Sequence, residues 1–306
     1  MKVAITGATG FVGTRLVEKL QNQGNEIIVL TRNPQRGREI FPNSTFPRVT
    51  IVSYSPQSYT GTELSQCQAV VNLAGQPIAE RWTPEYKQEI LNSRKLVTSN
   101  LVKLIGEANP KPQVLINASA IGYYGTSETA TYEETSPPGG DFLAEVCQTW
   151  EREAKKVEDF GVRLVILRIG IVLGNGGALA KMINPFKLFA GGPIGTGRQW
   201  FSWIHIDDLV NLIITALNNE QYRGVYNATS PNPVRMSEFC QTLGETLGRP
   251  SWLPVPGIAL ELLLGEGAKV VLEGQEVLPK QTIAIAFEYQ YPRLKQALQE
   301  IITNLG

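Results

Sequence analysis

Residues 6–13 are Thr6-Gly7-Ala8-Thr9-Gly10-Phe11-Val12-Gly13, and they indicate the architecture of the amino-terminal half. Three glycines recur every third residue, between a β-branched run at residues 2–6 and an amphipathic segment at residues 12–23. Glycine lets a chain turn tightly after a strand, brings the backbone close to a pyrophosphate and packs the next helix against the strand. The helix N-terminus then attracts phosphate. This turn predicts a dinucleotide site that includes Thr6, Gly7, Thr9, Gly10, Phe11, Val12 and Gly13.

Beyond this turn, short β-branched runs alternate with stretches of helical spacing. Strands are predicted at residues 2–6, 26–30, 49–54, 69–73, 114–118, 163–168 and 224–228. Helices are predicted at residues 12–23, 87–108 and 142–160, the last capped by Asp141 and ended by Gly161. Such alternation is typical of βαβ units around a mostly parallel sheet. We therefore predict an α/β fold, a Rossmann-type doubly wound parallel sheet with a smaller carboxy-terminal α/β lobe.

The pattern changes after Gly170, where Gly-rich and Pro-rich segments replace the repeated units. We predict an NADP-binding Rossmann domain at residues 1–170, with a return segment at about 200–230. The smaller lobe, expected to serve substrate binding or interaction, would consist of residues 171–199 and 231–306.

Composition excludes several classes of protein. The 306 residues carry 28 Lys and Arg against 28 Asp and Glu, without the basic run that binds nucleic acid or anionic membranes. No apolar stretch approaches about 18 residues without a charge, so no membrane span is expected. One histidine and three scattered cysteines do not suit a common zinc site, so no metal is expected. Unclustered cysteines are typical of a reducing compartment, which predicts a cytoplasmic protein with Cys67, Cys147 and Cys240 as small core residues.

The end of the second predicted strand indicates the type of dinucleotide. An acidic residue there accepts hydrogen bonds from the ribose hydroxyls of NAD. This chain has Thr31 and Arg32 instead, followed by Arg36 and Arg38. A guanidinium matches a 2′-phosphate through bidentate, charge-assisted hydrogen bonds. We predict NADP(H) as the cofactor, with Thr31 and Arg32 in contact with it; the alternative is a solvated basic loop.

Several motifs carry a resemblance to a known family. They are the Gly-rich turn, Asn72-Leu73-Ala74-Gly75, Ser119-Ala120-Ile121-Gly122-Tyr123-Tyr124-Gly125 and Trp203-Ile204-His205-Ile206-Asp207-Asp208-Leu209. The chain resembles an extended short-chain dehydrogenase/reductase of the NAD(P)-dependent epimerase/dehydratase type. Segments 81–83, 93–95, 191–200 and 226–233 are similar to an atypical branch named "epimerase family protein", some members of which carry a SulA-like cell-division-inhibitor label. The resemblance implies further cofactor contacts from Leu73, Ala74, Gly75, Ala118 and Ser119, with Ala74 and Gly75 on the adenosine side and Ser119 near the nicotinamide.

The resemblance breaks at the residues that would transfer a proton. Enzymes of this superfamily use a Tyr, a Lys four residues later and a nearby Ser; the Lys holds the nicotinamide ribose and lowers the Tyr pKa. The corresponding positions here are Phe142 and Val146, so standard Ser-Tyr-Lys catalysis is absent. The candidate catalytic replacements are Ser119, Tyr123, Tyr124 and Glu145. Ordinary packing is the alternative for the tyrosines, and a solvated or capping role is the alternative for Glu145.

A second departure concerns the substrate. Sugar-nucleotide enzymes of this type often have an Arg at the position of Phe201, where it can pair with a diphosphate. The aromatic residues of this segment instead predict a pocket for a partly apolar small molecule, lined by Phe142, Gln199, Trp200 and Trp203. The alternative is that these aromatic residues pack the lobe against the main domain.

Two expectations concern charged or titratable groups outside the cofactor turn. His205 is expected to be a neutral imidazole bonded to backbone rather than a base, with Asp207 or Asp208 capping the next helix. The charged face of the 142–160 helix is expected to be solvated, which favours a monomer or a weak homodimer. That face consists of Glu151, Arg152, Lys155, Lys156 and Glu158.

Two functional hypotheses follow. The first is an NADP(H)-dependent, epimerase/reductase-like protein with non-standard acid/base residues and an unidentified small-molecule substrate. The second is a catalytically relaxed, NADP(H)-bound regulatory or scaffold protein, for example in cell or plastid division. Phe142 and Val146 motivate the second hypothesis, because apolar residues at both proton-handling positions are what a loss of catalysis would leave.

Overall fold

A parallel sheet lies at the centre of the chain in the computed structural model, which describes residues 1–55 and 62–305. The strands of these residues are β1 (Lys2–Thr6), β2 (Glu26–Thr31), β3 (Val49–Ser53), β4 (Ala69–Asn72), β5 (Val114–Ala120), β6 (Thr131–Tyr132), β7 (Arg163–Ile169), β8 (Ile171–Leu173), β9 (Trp200–Phe201), β10 (Trp203–His205), β11 (Gly224–Ala228), β12 (Val234–Arg235) and β13 (Glu276–Val277). The α-helices are α1 (Phe11–Asn22), α2 (Pro34–Ile40), α3 (Pro84–Glu107), α4 (Phe142–Lys155), α5 (Gly177–Lys187), α6 (Ile206–Asn218), α7 (Met236–Leu247), α8 (Gly257–Leu264), α9 (Lys269–Leu272), α10 (Lys280–Ala284) and α11 (Leu294–Thr303).

The central sheet has the strand order β11-β7-β5-β4-β1-β2-β3, and every neighbouring pair in it is parallel. β1, β2 and β3 run outward to one edge, and the chain then returns to place β4 on the other side of β1. The strand order therefore reverses between β1 and β4. Ligands of such sheets bind in the crevice outside the carboxyl ends of the strands at this reversal. The predicted Rossmann-type doubly wound sheet is confirmed.

The central sheet is buried on both faces, which explains its nearly continuous apolar strands. Along β1, Val3 and Ile5 pack into one hydrophobic cluster and Ala4 into another, because successive side chains point to opposite faces. The first cluster continues into α1 and α6, and the second into α3 and the end of α4. Helices on both faces thus fix the carboxyl ends of the strands, where the crevice lies.

The helix α4 begins as the sequence predicts. The Asp141 carboxylate accepts a hydrogen bond from the backbone N–H of Ala144 at 2.8 Å, which caps the first turn. The α-helix ends at Lys155, however, and residues Lys156–Phe160 form a 3-10 turn before Gly161, which adopts a left-handed conformation. Tightening of a last turn into 3-10 geometry is common at helix ends.

The prediction that the charged face of α4 is solvated was wrong for one residue of that face. Glu151 is 3% exposed, because Arg168 on β7 pairs with its carboxylate inside the protein. The exposed members of this face are Arg152, Lys155, Lys156 and Glu158.

A separate hydrophobic cluster forms the core of the carboxy-terminal lobe. It unites β8, β9 and β10 with α5, α7 and α11, and the rings of Phe201, Trp203 and Phe239 lie at its centre. The short sheets β8–β10 and β9–β12 belong to the same region. The domain boundaries proposed from the sequence stay predictions.

The three cysteines are free and buried, as predicted for small core residues. Burial raises the pKa of the Cys147 thiol and that of the Cys67 thiol to about 11, so both stay protonated near neutral pH. Within the described ranges, none of the helices combines the length and the hydropathy needed to cross a bilayer.

Candidate functional site

The glycine turn between β1 and α1 is packed too tightly to admit side chains. Gly7 has a φ of +70°, and a Cβ there would lie 2.6 Å from the carbonyl carbon of Leu73. A Cβ at Gly13 would lie 2.3 Å from the carbonyl oxygen of Gly7 and 2.6 Å from Cα of Ala8. These close neighbours are backbone atoms, so no side-chain rotation relieves the overlap. The turn therefore holds the end of β1, the start of α1 and the loop after β4 in one fixed arrangement.

The N-terminus of α1 is chemically suited to an anion. Gly10 is the N-cap residue and supplies no side-chain hydrogen bond, and the first turn contains no acidic residue. The first N–H groups of a helix have no partner within the helix, and the helix dipole adds a partial positive charge to them. A turn without side chains in front of such amides fits a pyrophosphate, which needs close approach of the backbone.

Two residues that are predicted to contact the dinucleotide, Thr6 and Phe11, also make side-chain contacts within the protein. The Thr6 hydroxyl donates to Oδ1 of Asn72 at 2.6 Å and so ties β1 to β4. The Phe11 ring packs on a glycine segment of the carboxy-terminal lobe, where a Cβ at Gly176 would lie 2.9 Å from the ring. Their side chains are therefore occupied within the protein, which leaves the Phe11 backbone as the part of these residues suited to phosphate.

A cleft of about 630 Å³ opens beside this turn. Its walls come from α1, from the start of α6 and from the carboxy-terminal lobe, with Thr9, Gly10, Phe11, Gly174, Ile206 and Ile301 among the lining residues. The cleft thus brings the predicted residues Thr9, Gly10 and Phe11 to a surface shared by both parts of the chain. Val12 is partly buried against the main core.

The end of β2 presents a free cation. Arg32 is exposed, and in residues 1–55 and 62–305 no ion pair or side-chain hydrogen bond involves its guanidinium. Thr31 accepts from the N–H of Asn33 at 3.1 Å, and Asn33 caps α2 by accepting from the N–H of Arg36 at 3.0 Å. The loop is therefore shaped by its own polar residues while Arg32 keeps its donors for another group.

A buried polar network connects β5, α4, β7 and β11. The Ser119 hydroxyl donates to Oε1 of Glu151 at 2.8 Å, and Arg168 holds both carboxylate oxygens of Glu151 at 2.8 and 2.9 Å. Arg168 also donates to the Tyr124 hydroxyl at 3.0 Å, and that hydroxyl donates to Oδ1 of Asn227 at 2.7 Å. The network fixes the carboxyl ends of the strands on the β5 side of the crevice.

Electrostatics within this network keep Arg168 charged and Tyr124 neutral. Burial acts to lower the pKa of Arg168, but hydrogen bonding and the charge of Glu151 outweigh it and raise that pKa. Burial raises the pKa of Tyr124 to about 12, against the opposing effect of Arg168. Tyr124 therefore stays protonated at neutral pH and is a poor proton acceptor there.

The candidate proton-transfer residues occupy different environments. Ser119 and Tyr124 are buried and bonded within the network, whereas Tyr123 is partly exposed and stacks its ring on Arg168, whose guanidinium carbon is 3.3 Å from the ring centroid. Glu145 is exposed in the first turn of α4. Of the four, Tyr123 combines access to solvent with contact to the network.

The residues predicted to line a substrate pocket contact different neighbours in the structure. Phe142 meets the Trp82 ring edge-on at 5.3 Å and carries the Lys87 ammonium 4.7 Å above its ring. The Trp200 ring stacks with Arg235, at 3.7 Å from the guanidinium carbon to the ring centroid. Trp203, at 0% exposure, lies in the core of the carboxy-terminal lobe and donates its indole N–H to the carbonyl of Asn232. Trp203 therefore fills the core of this lobe, and its role in a substrate pocket stays a prediction.

Gln199 is buried but keeps one polar atom without a partner. Its amide nitrogen donates to the carbonyls of Ile194 and Val271, while its Oε1 has no hydrogen-bond partner among the described residues. A buried, unpaired acceptor is costly unless a ligand or water satisfies it. Gln199 stays a pocket candidate on this ground.

His205 does bond to backbone, but the helix cap is His205 itself. Its Nδ1 accepts from the backbone N–H of Asp207 at 3.1 Å, and its Nε2 lies 2.9 Å from Oε2 of Glu300. Asp207 instead pairs with Arg15 at 2.8 Å, and Asp208 accepts from two backbone N–H groups of residues 290 and 291. The expectation that Asp207 or Asp208 caps α6 was therefore wrong.

Sequence reasoning missed the charged members of the network. Glu151 resembles any charged helix residue, and its partner lies 17 positions away on β7. The available signal was Arg168 itself, because an arginine within the apolar strand at residues 163–169 requires a buried acceptor.

Comparison with known proteins agrees with this geometry. A family model described as the NAD dependent epimerase/dehydratase family matches residues 3–229. The chain belongs to this family. A second model, described as a domain of unknown function, matches residues 255–301.

Relatives of this epimerase-family chain span nearly its whole length. The "Epimerase family protein SDR39U1 homolog, chloroplastic" of Arabidopsis thaliana is 54% identical, over 99% of this chain and 87% of that protein. "Epimerase family protein YfhF" of Bacillus subtilis is 41% identical, over 99% of both chains. A crystal structure of human epimerase family protein SDR39U1 with NADPH superimposes with a TM-score of 0.88 at 36% identity, covering 99% of this chain and 100% of that one. The fold and family predicted from the motifs are confirmed.

Proposed function

We propose that this chain binds NADP(H) in the crevice at the carboxyl ends of β1, β2 and β4, and uses it on a partly apolar small molecule. One observation carries the proposal. The helix α1 begins without a side-chain cap, directly after a turn that is too tight for side chains. The strand β2 lies beside β1, and the exposed cation Arg32 follows its end. The human structural relative contains NADPH, which supports the same cofactor here.

Each half of the dinucleotide has residues suited to it. The amides at the start of α1 would hold the pyrophosphate, and Arg32 would hold the 2′-phosphate. The resemblance implies that Gly75 lies on the adenosine side, but β2, which ends next to Arg32, and β4 lie on opposite sides of β1. We therefore place the other nucleoside half towards Gly75, which follows β4, and Ser119, which lies at the end of β5. When bound, NADPH supplies a hydride to the substrate.

Tyr123 is the residue we assign to proton transfer. Its phenol is partly exposed beside Arg168, whereas the hydroxyls of Ser119 and Tyr124 have partners inside the protein. Reduction of a carbonyl requires a proton for the new hydroxyl group, and a partly exposed phenol can donate it and be reprotonated by water. Phe142 and Trp82 would contribute the apolar part of the substrate site.

Arg32→Asp is expected to weaken NADPH binding by roughly 10- to 100-fold, because charge-assisted hydrogen bonds to the 2′-phosphate are lost and a repelling charge replaces them. Fluorescence titration with NADPH and NADH measures the change. Arg48→Asp is the matched control, with the same change in charge, because Arg48 precedes β3 at the amino edge of the sheet. Equal affinity of the unmodified chain for NADPH and NADH, or full NADPH affinity in Arg32→Asp, would contradict the role of Arg32 in binding the 2′-phosphate.

Tyr123→Phe is expected to lower kcat by roughly 100-fold, because general acid catalysis contributes about that much, while NADPH affinity stays unchanged. Consumption of NADPH with a panel of ketones and aldehydes provides the assay. Tyr124→Phe should change turnover only a few-fold, and it should lower the free energy of unfolding by about 1–3 kcal/mol because Asn227 loses a buried donor. A Tyr123→Phe protein with full activity on a substrate of the panel would contradict the role of Tyr123.

A second candidate function is supported by the same network. The Ser119 and Tyr124 hydroxyls are occupied, and Phe142 and Val146 are apolar, which suits an NADP(H)-bound regulatory or scaffold protein without turnover. Tight NADPH binding with no consumption by any member of the panel would favour this second function over the first.

A further inference from the structure

Arg168 and Arg163 are buried and Arg94 is partly buried, and the three differ in the groups that neutralise their charge. Arg168 holds a carboxylate in two hydrogen bonds, as described above. Arg163 donates to the carbonyls of Ala216, Leu217 and Tyr222, the first two in the last turn of α6, where the helix dipole is negative. The guanidinium of Arg94 has neither kind of partner.

Arg94 lies in the middle of α3 and is partly buried. It donates to the carbonyl of Ile90, in its own helix, and to the carbonyl of Gln76, both at 3.1 Å. No carboxylate among residues 1–55 and 62–305 lies within 4.0 Å of its side-chain nitrogens. A guanidinium has five N–H groups, so two hydrogen bonds leave donors for another acceptor.

The titratable neighbours of Arg94 do not supply a negative charge. Within the described chain, the titratable side chains that act on the pKa of Arg94 are Cys147 and Tyr86. Burial raises the pKa of Cys147 to about 11 and also raises the pKa of Tyr86, so both are neutral near pH 7. The Arg94 guanidinium carbon lies 5.1 Å from the ring centroid of Trp150, whose indole N–H is buried without an acceptor in the described chain. Among the described residues, Arg94 therefore contributes a positive charge that no carboxylate pairs with, beside a second donor without an acceptor.

This positive charge lies in the wall of the crevice. Gly75 follows β4, and a Cβ there would lie 3.0 Å from the guanidinium carbon of Arg94. Gly75 therefore leaves the space that Arg94 occupies. Because β4 and β2 lie on opposite sides of β1, this place belongs to the half of the dinucleotide site away from Arg32.

Arg94 also packs on the face of α4 that includes the apolar residue Val146. Trp150 packs under Arg94, and Val146 lies one helical turn before Trp150 on the same face. Val146 is 2% exposed and has no group that could bind a ribose. A cation from α3 at this place can bind oxygen atoms that α4 does not reach.

We infer that Arg94 is a dinucleotide-binding residue, which donates hydrogen bonds to the ribose oxygens of the nicotinamide half and replaces a cation missing from α4. This inference rests on the proposed function, since it assumes NADP(H) in the crevice. A carboxylate on the substrate offers the same acceptor chemistry, and the experiment separates the two sources of oxygen.

The experiment compares Arg94→Gln with the unmodified chain for two ligands, NADPH and adenosine 2′,5′-bisphosphate, which lacks the nicotinamide half. We expect Arg94→Gln to raise the Kd for NADPH by roughly 10-fold or more and to change the Kd for the bisphosphate less than about twofold. Arg94→Lys, which keeps the charge, should retain part of the NADPH affinity. Lys95→Gln is the matched control, because Lys95 is exposed on the same helix and loses the same charge.

Other outcomes overturn the inference in distinguishable ways. Unchanged NADPH affinity in Arg94→Gln would show that Arg94 does not bind the cofactor and instead binds the substrate or stabilises the packing of α3 and α4. Equal weakening of both ligands, with a lower thermal midpoint of the ligand-free protein, would mark Arg94 as structural only. If the unmodified chain binds neither ligand, the proposed function fails and the inference falls with it.

Discussion

Gly13→Ala is expected to remove most NADPH binding while the chain still folds. The new Cβ would meet the carbonyl oxygen of Gly7 at 2.3 Å and Cα of Ala8 at 2.6 Å, so the turn or α1 must move. Overpacking of this kind costs about 1–3 kcal/mol of stability, which a chain of this size can tolerate. The displaced amides no longer face the pyrophosphate together, and each lost hydrogen bond to a charged group costs about 1.5–3 kcal/mol of binding free energy. The affinity should fall by roughly 100-fold.

Fluorescence titration with NADPH measures this loss, and thermal unfolding of the same samples shows whether the fold survives. Gly140→Ala is the control, because a Cβ at Gly140 would meet no heavy atom within 4 Å. A folded Gly13→Ala protein that binds NADPH as tightly as the unmodified chain would show that the turn is not the phosphate site.

The second large effect is expected from Glu151→Ala. This substitution leaves Arg168 buried without its carboxylate and takes away the acceptor of the Ser119 hydroxyl. Removal of one member of a buried ion pair costs about 3–5 kcal/mol, because the remaining charge stays desolvated. The free energy of unfolding, measured by urea denaturation, should fall by that amount.

Glu107→Ala is the matched control for Glu151→Ala. Glu107 pairs with Lys103 at 3.8 Å on the surface of α3, where both side chains are more than half exposed. An exposed pair of this spacing contributes about 0.3–0.5 kcal/mol. If the two glutamate substitutions have similar effects, the network does not organise the carboxyl ends of the strands in the way described.

The sequence was sufficient where local rules decide the structure. The glycine spacing at residues 7, 10 and 13 has one common structural use after a strand. β11 was predicted at its observed bounds because Val225 and Tyr226 favour a strand and turn residues flank the segment. The cap of α4 by Asp141 could be predicted for the same reason, because a cap depends on residues only three positions apart.

The sequence was insufficient where partners come from distant segments. Trp203 could line a pocket or fill a core, and only the packing of β8, α7 and α11 around it decides for the core. The charge of Glu151 predicts that its side chain is exposed to solvent, and only the fold shows that Arg168 lies beside it and allows its burial. Arg94 belongs to the same class, because its position between Gly75 and Trp150 depends on how α3 and α4 meet.

A crystal structure of this chain with NADPH tests the proposed cofactor site most directly. We expect the pyrophosphate at the amides that begin α1, the 2′-phosphate in contact with Arg32, and a ribose oxygen of the nicotinamide half within hydrogen-bond distance of Arg94. A pyrophosphate bound away from the turn at residues 7–13, or a 2′-phosphate without contact to Arg32, would contradict the proposed site.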